Sequence, residues 1–253
     1  MRRKFSIILF IIYICLGVFL FIDYKCDRYK SKPVEKVEEP VEIIERTIEY
    51  VDVWTITNAD IKNEPNANAK TISNCSWNTK AVVTYIDNDW AKVKGLELYI
   101  NRNFLNESPA NYIEYNVPNN NKIKSYMDYK AITSTSSNQY KLQEIAYTDN
   151  GLRMVNDRYC VALGSYYTTT IGQYVDIELE NGNVICGILA DCKANKDTDS
   201  TNRIHSVDGS VVEFVVDTES LDSFAKKMGD ISYINDWNSK VVNIKVYDKT
   251  AEY

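Results

Sequence analysis

The order of hydrophobic and polar positions divides this chain into three regions. Residues 5–22 are eighteen consecutive positions without a charged side chain. Residues 31–51 are charged and carry apolar residues at intervals of three and four. From residue 52 onward, short β-prone runs alternate with turn-forming Asn, Asp, Gly and Pro. The pattern predicts a transmembrane helix, a charged stalk and a mainly β remainder.

Residues 1–30 are predicted to be an uncleaved signal anchor. At about 1.5 Å per residue, residues 5–22 form a helix of about 27 Å, just enough for a bilayer core. A cleaved signal peptide is the alternative, but its apolar region is usually shorter and ends in small residues, which this run does not. Basic residues flank the span on both sides, so the distribution of positive charge does not set its orientation. The segment before the span is only four residues long, which favours an extracellular location for the long C-terminal region. The expected location is the cell membrane, with a single pass.

The stalk, residues 31–51, carries an a/d stripe of about two and a half heptads. Its apolar positions are Val34, Val37, Val41, Ile44, Ile48 and Val51. Such a stripe is typical of a helical stalk through which two chains form a homodimer. Pro40 lies inside the stripe and removes a helical hydrogen bond, so a solvated tether is the favoured alternative.

Residues 52–107 are predicted to form a small all-β domain. The predicted strands are 53–57, 71–72, 81–86, 90–93 and 98–100, separated by turn residues. Short strands at this spacing indicate a small barrel. Residues 108–139, rich in Asn and Ser, follow as a predicted linker whose tyrosines suggest packing on a domain surface.

Residues 140–253 are predicted to form a second β domain, a barrel of about six strands. The predicted strands are 158–163, 174–180, 184–190, 211–216 and 241–247. Asn181-Gly182-Asn183 is typical of a hairpin turn between two of them. One short helix is predicted over 220–228, with Thr218 or Ser220 as its N-cap and Gly229 at its end.

The formal charge of the chain, -6, conceals an uneven distribution. Residues 1–30 carry six Lys or Arg and two Asp, a net +4, so residues 31–253 hold -10. A region that acidic lacks the clustered basic residues with which proteins neutralise phosphates, which argues against a nucleic-acid partner. His205 is the single histidine, which excludes a multi-histidine metal site. No Cys-x-x-Cys spacing occurs, so neither a metal nor another cofactor is expected.

Four segments of the first domain resemble the bacterial SH3-like domains of cell-wall proteins. They are DIKNEP at 60–65, AKTI at 69–72, WAKV at 90–93 and LYI at 98–100. The resemblance implies a module that binds peptidoglycan peptide or a protein partner without catalysis. Trp54, Tyr85 and Trp90 are then expected to line a ligand-binding groove, with Trp77 as a further candidate, because aromatic rings offer flat apolar area with a polar handle. The alternative for each ring is a place in the core.

The order of short motifs in the second domain resembles the three-Asp domain, a double-psi β-barrel found in lytic transglycosylase A and in stationary-phase survival proteins. The motifs are VALG at 161–164, IG at 171–172, ADC at 190–192 and GSVVE at 209–213. The resemblance implies that Asp191 is the second acid and Glu213 the third, which is the general acid of the transglycosylase relatives. Gly164 stands at the position of the first acid.

Glu213 and Asp191 are therefore the predicted catalytic residues. A lytic transglycosylase needs one carboxyl group that protonates the glycosidic oxygen and then accepts a proton from the 6-hydroxyl of the sugar. Such a group needs a raised pKa, which burial or a neighbouring carboxylate provides. Glu213 lies among apolar residues and Asp191 follows an apolar run, so Asp191 is expected to raise the pKa of Glu213. The alternative is that both are ordinary acids at strand ends.

A competing arrangement uses sulfur. Cys192 follows Asp191, as the nucleophile does in the Asp-Cys-Ser-Gly segment of cell-wall cysteine peptidases, and His205 is the single histidine that could act as its base. Cys192 meets no helix pattern, and this is the weaker interpretation. In an extracellular setting Cys160 pairs with Cys186 or Cys192, or all three remain free thiols.

The predicted fold class is mainly β, with an N-terminal transmembrane helix, a small SH3-like barrel and a six-stranded double-psi-like barrel with one short helix. The predicted function is that of a membrane-anchored, extracellular cell-wall protein, with peptidoglycan as its partner, that cleaves glycan strands as a lytic transglycosylase-like enzyme. The alternative is a non-catalytic peptidoglycan-binding or scaffold protein of a cell-envelope or conjugation apparatus. Catalysis requires Asp191 and Glu213 to share one open cleft, whereas side chains on opposite faces favour binding alone.

Overall fold

The computed structural model describes residues 48–117 and 120–253, which belong to one compact unit. The predicted anchor and the stalk up to residue 47 lie outside the described residues. Within the described ranges, no helix is long and apolar enough to cross a membrane. Strands far outnumber the two α-helices in these ranges, which confirms a mainly β fold.

Seven short strands form the first sheet. They are β1 (Val51–Thr55), β2 (Ala59–Lys62), β3 (Thr71–Cys75), β4 (Lys80–Tyr85), β5 (Trp90–Val93), β6 (Tyr99–Asn101) and β7 (Leu105–Asn106). Their order is β3-β2-β6-β5-β4-β1-β7, and the pairings are antiparallel. Val53, Val83 and Ala91 form a small core. The five predicted strands are confirmed, β5 with its predicted ends and the other four with shifted ends, and β2 and β7 are additional.

Nine strands form the second sheet. They are β8 (Tyr112–Asn116), β9 (Ser125–Asp128), β10 (Tyr147–Asp149), β11 (Leu152–Val155), β12 (Arg158–Gly164), β13 (Gln173–Leu179), β14 (Val184–Lys193), β15 (Glu213–Val216) and β16 (Val241–Thr250). Eight follow the order β10-β11-β15-β12-β14-β13-β16-β8, while β9 pairs with β15. The pairs β12–β14 and β9–β15 are parallel, and the others are antiparallel.

Helices and short 3-10 turns connect these strands. The α-helices are α1 (Asn138–Ile145) and α2 (Ser223–Met228). The 3-10 turns are Arg102–Phe104, Tyr129–Ala131, Asn195–Asp197 and Ile231–Tyr233. Asp222 is the N-cap of α2, since its Oδ1 accepts the backbone N–H groups of Phe224 and Ala225, both at 2.9 Å. The predicted helix is thus confirmed with a later start, and Gly229 ends it in the left-handed conformation, with a φ of 67°.

The segment 108–139, predicted as a linker, contributes two strands to the second sheet. β8 pairs with β16, and β9 pairs with β15. Tyr115 and Tyr126 on these strands pack against the main core. The composition of this segment indicates a loop, but distant pairing partners give it strand structure.

The main hydrophobic core lies against the second sheet. β12 is buried at nearly every position, as expected for a central strand that is covered on both faces. Phe214 of β15 stacks on Trp237, with ring centroids 5.1 Å apart and planes at 17°. The predicted hairpin between β13 and β14 is confirmed, with Gly182 at a φ of 87° in its turn.

Trp77 joins the two sheets. Its indole ring contacts Tyr174 and Tyr247 edge-on, with centroid distances of 5.0 and 4.8 Å. The guanidinium of Arg158 lies over the same ring at 5.4 Å. A second connection is the hydrogen bond from Asn58 Nδ2 to Asp157 Oδ2, at 2.7 Å. The first sheet is therefore held to the second by an aromatic cluster and a polar contact beside it.

Candidate functional site

Ser125, Glu213, Ala162 and Asp191 form a row across four strands of the second sheet. Glu213 on β15 is the ladder partner of Ser125 on β9 and of Ala162 on β12. Ala162 is also the ladder partner of Asp191 on β14. Ladder partners project their side chains from the same face of a sheet. Asp191 and Glu213 therefore lie on one face, with the methyl group of Ala162 between them.

A β-bulge in β14 sets this arrangement. Val161 pairs with Leu189, but the next residue, Ala162, pairs with Asp191, so Ala190 is the extra residue. A shift of one residue moves side chains to the opposite face of a sheet. Bulges are common beside active sites because they re-aim a side chain. Without the extra residue, Ala162 would pair with Ala190 and the carboxylate of Asp191 would lie on the other face.

The carboxyl group of Glu213 experiences opposing electrostatic influences. Burial raises its pKa, and the negative charges of Asp191 and Asp208 act in the same direction. The positive charge of Lys193 acts to lower it, as does His205. The net effect is a pKa above the ordinary value, which is what a carboxyl group needs to keep a transferable proton at higher pH.

Lys193 lies two residues after Asp191 on β14, and therefore on the same face. It is only 6% exposed, and its Nζ donates to the carbonyl oxygen of Ser210 at 3.2 Å and to Ser210 Oγ at 3.0 Å. Ser210 Oγ lies 3.1 Å from Ser125 Oγ. Burial lowers the pKa of Lys193, whereas Glu213 and Asp208 favour its charged form. Lys193 was not among the predicted site residues, because the predicted strand ends at residue 190 whereas β14 continues to Lys193.

His205 faces the same cluster through Asp208. Its Nδ1 lies 2.8 Å from Asp208 Oδ1, which also accepts the backbone N–H of Ser210 at 2.8 Å. Burial acts to raise the pKa of Asp208, but the hydrogen bonds from Ser210 and His205 hold it below the ordinary value. Asp208 is therefore a carboxylate that orients His205, not a second proton donor.

Gly164 is required by a close approach of the backbone. It is the ladder partner of Lys193, and a Cβ at this position would lie 2.0 Å from the carbonyl oxygen of Asn202. No side chain fits there unless the 195–209 connection moves. The position that the three-Asp resemblance assigns to a first acid is thus closed in this backbone.

Helix α1 brings an amide group to the same site. Gln139 Nε2 donates to Asp191 Oδ1 at 3.4 Å. Ser137 begins the helix, because its Oγ accepts the backbone N–H of Tyr140 at 3.1 Å. Gln139 is the last residue of the predicted linker 108–139, and no local pattern in the sequence connects it to Asp191.

The structure does not support the sulfur arrangement. Cys192 is the ladder partner of Leu163, which is fully buried, and it follows Asp191 directly, so it points to the opposite face. Burial raises the pKa of its thiol, and Asp191 adds to the effect, whereas a nucleophilic cysteine needs a lowered value. His205 is bound to Asp208. Cysteines 75, 160, 186 and 192 are all free thiols.

The three aromatic residues predicted to line one groove do not come together. Trp90 is only 8% exposed and belongs to the interior. Tyr85 packs against the small core of the first sheet, with Arg102 over its ring at 3.8 Å. Trp54 pairs with Lys80 on β4, and ladder partners lie on the same face. Side chains alternate along a strand, so Lys80 and Tyr85, five residues apart on β4, lie on opposite faces. Trp54 and Tyr85 therefore lie on opposite faces of the first sheet. Trp77 instead lines a cavity.

Within residues 48–117 and 120–253, no group of three or more His, Cys, Asp or Glu side chains is arranged to hold a metal ion. Asp191 and Glu213 form the carboxylate row, and with Lys193, His205 and Asp208 they make a cluster of ionisable side chains that influence one another. No family model, curated protein or solved structure matches this chain.

Proposed function

We propose that this chain is a cell-wall protein that cleaves glycan strands as a lytic transglycosylase-like enzyme. The observation that carries the proposal is the placement of Glu213 and Asp191 on one face, one on each side of Ala162. The raised pKa of Glu213 adds the property that a proton donor needs.

The proposed reaction uses Glu213 twice. Its protonated carboxyl group donates to the glycosidic oxygen while the bond from that oxygen to C1 breaks. The resulting carboxylate then accepts the proton of the 6-hydroxyl as that oxygen bonds to C1. The products are a 1,6-anhydro sugar and a shortened strand, no water is consumed, and Glu213 ends protonated again.

The neighbours of Glu213 have complementary roles in this proposal. Lys193 and His205 stabilise the carboxylate that exists between the two proton transfers. Asp191 stabilises the positive charge that develops on the sugar ring, and Gln139 orients its carboxylate. Lys193 and Gln139 are positioning residues, since they act through the two acids.

The proposal includes the finer architecture and the location. Short antiparallel strands support an SH3-like first domain, and the parallel pairs β12–β14 and β9–β15 around one core support a double-psi-like second domain. The apolar run at 5–22 supports a signal anchor with the described residues outside the cell. The stripe that begins at Val34 is short of its last position, because Val51 lies in β1 and pairs with Val83, and Pro40 interrupts it, so the solvated tether is favoured over a dimeric stalk.

The test is digestion of purified peptidoglycan sacculi by the full chain in detergent. We expect the wild type to release anhydro-muropeptides detectable by mass spectrometry, and Glu213→Gln to abolish their release. Glu219→Gln is the matched control, because Glu219 is exposed and pairs with Lys130 away from the row. Intact sacculi after incubation with folded wild-type protein would exclude the enzymatic proposal.

The second candidate function is binding without cleavage. The observation that favours it is the charge of Lys193, which favours the ionised form of Glu213, a form that cannot donate a proton. In this case the chain pulls down sacculi without digesting them, and Glu213→Gln leaves the amount bound unchanged.

A further inference from the structure

Two cavities share the segment 250–252 as part of their lining. The first has a volume of about 480 Å³ and is lined by Asn58, Trp77, Asn156 and Tyr174 among others. The second has a volume of about 920 Å³. Thr250, Ala251 and Glu252 line both, so the cavities are neighbours. Both volumes are in the range of small-ligand sites.

The lining of the first cavity combines an aromatic platform with amide groups. Trp77 is partly exposed, and its ring is fixed edge-on by Tyr174 at 5.0 Å. Asn156 Nδ2 donates to the hydroxyl of Tyr174 at 2.9 Å, which leaves its carbonyl oxygen to accept from a ligand. A fixed ring beside amide groups suits a ligand with flat C–H faces and hydroxyl groups.

The second cavity is lined by hydroxyl and amide groups. Its polar side chains include Asn138, Gln139, Thr169 and Thr170, and Tyr253 adds a second partly exposed ring. Glu252 lines both cavities, and Lys249, of opposite charge, lines the first. The two cavities together therefore carry no excess of positive side chains for an anionic ligand, and their hydroxyl and amide groups favour an uncharged, hydroxyl-rich one.

Gln139 connects the second cavity to the carboxylate row. It lines that cavity, and its Nε2 lies 3.4 Å from Asp191 Oδ1. A chain molecule that follows the cavities from Trp77 past Thr250 reaches Gln139, whose amide contacts Asp191, while Asp191 and Glu213 themselves line neither cavity. An extended saccharide fits this path because its units repeat the same hydroxyl groups and apolar faces.

We propose that the two cavities form a binding track for an uncharged saccharide chain, running from Trp77 to Gln139. The track rests on the proposed function in one respect, since its Gln139 end, which contacts Asp191, is where the bound strand would meet the two acids. Sugar binding itself does not depend on cleavage. Thr250 lies at the centre of the track because both cavities contact it.

The test is the affinity of chitotetraose for the full chain in detergent, measured by titration calorimetry in the Glu213→Gln background so that turnover cannot interfere. We expect binding, and at least tenfold weaker binding when Thr250→Trp places an indole in both cavities. Val242→Trp is the matched control, because Val242 is an exposed residue on the same strand that lines neither cavity. It should bind like the parent, and circular dichroism should show both variants folded.

Each outcome separates the track from the cleavage reaction. Chitotetraose that fails to bind, or that binds equally to Thr250→Trp, overturns the track. Binding of a sugar-free wall peptide in place of chitotetraose overturns it as well. If the wild type and Thr250→Trp digest sacculi equally well, the enzymatic proposal stands and the track is excluded. If Thr250→Trp weakens saccharide binding but the wild type does not digest sacculi, the track stands and the enzymatic proposal is excluded.

Discussion

The ammonium of Lys193 and the carboxyl of Glu213 lie on the same face of the second sheet and act on each other's protonation. Lys193 is nearly inaccessible to solvent, and its Nζ is fixed by both oxygen atoms of Ser210. Its charge is the largest influence that opposes the effect of burial on Glu213. The pKa of Glu213 is therefore set by a balance that a single substitution can change.

Lys193→Met should raise the pKa of Glu213 further. The substitution keeps an apolar side chain of similar length and removes the positive charge that favours the carboxylate. The measurement is the titration of the Glu213 carboxyl carbon by NMR, and in an active enzyme the alkaline limb of the pH profile should move to higher pH with it. Lys245→Met, which removes the partner of Glu178, is the control and should leave Glu213 unchanged. Identical titrations of Glu213 in wild type and Lys193→Met would contradict the assigned balance.

Local signals predicted those parts of the fold that local interactions stabilise. The turn at 181–183 and the end of α2 at Gly229 are examples, since each depends on residues close in sequence. β8 and β9 could not be predicted in the same way, because their partners, β16 and β15, lie about a hundred residues further along the chain. Their own side chains are mostly exposed or half-buried, so no apolar alternation marks them.

The candidate site was predictable to a similar extent. Short motifs identified Asp191 and Glu213, but their common face depends on the bulge at Ala190 and on pairing through Ala162. A bulge in a buried apolar run leaves no pattern that distinguishes it from a regular strand. Gln139 reaches Asp191 only through the packing of α1, which sequence spacing does not report.

Gly164→Ala should destabilise the protein by about 1–3 kcal/mol, the usual cost of overpacking. The added Cβ would meet the carbonyl oxygen of Asn202 at 2.0 Å, and a backbone atom cannot rotate away. Gly187→Ala is the matched comparison, since its Cβ would meet the side-chain tips of Val175 and Val161 at 3.1 and 3.2 Å. Urea unfolding should therefore show the larger loss for Gly164→Ala. An equal or smaller loss would mean that the 195–209 connection yields easily at this point.

Trp90→Ala should lower the free energy of unfolding, because Trp90 is a core residue and not part of a ligand-binding groove on the surface. Removal of a buried indole typically costs about 3–5 kcal/mol. Trp54→Ala, on a half-exposed ring beside Lys80, should cost roughly 1 kcal/mol or less. Chemical denaturation followed by circular dichroism measures both. If Trp90→Ala were as stable as Trp54→Ala, Trp90 would not belong to the interior.

The buried Lys124 should make stability depend on pH. Its side chain is inaccessible to solvent, and its Nζ donates to the carbonyl oxygens of Lys122 at 3.0 Å and Ser239 at 2.7 Å. Burial lowers the pKa of Lys124 from 10.5 to about 8, although Asp230 acts in the opposite direction. Below pH 8 the amine is charged in both the folded and the unfolded chain. Between pH 8 and 10.5 the unfolded chain holds more protons, so the free energy of unfolding should rise with pH in this window.

Lys124→Met isolates this contribution. It removes the titrating group. The free energy of unfolding of the wild type, minus that of the variant, should therefore increase by roughly 3 kcal/mol across the full pH window. The loss of donors to Lys122 and Ser239 lowers the stability of the variant at every pH and does not alter the difference in slope. Urea unfolding of both proteins at intervals from pH 7 to 11 provides the measurement. Parallel curves would show that Lys124 titrates at its ordinary pKa despite its burial.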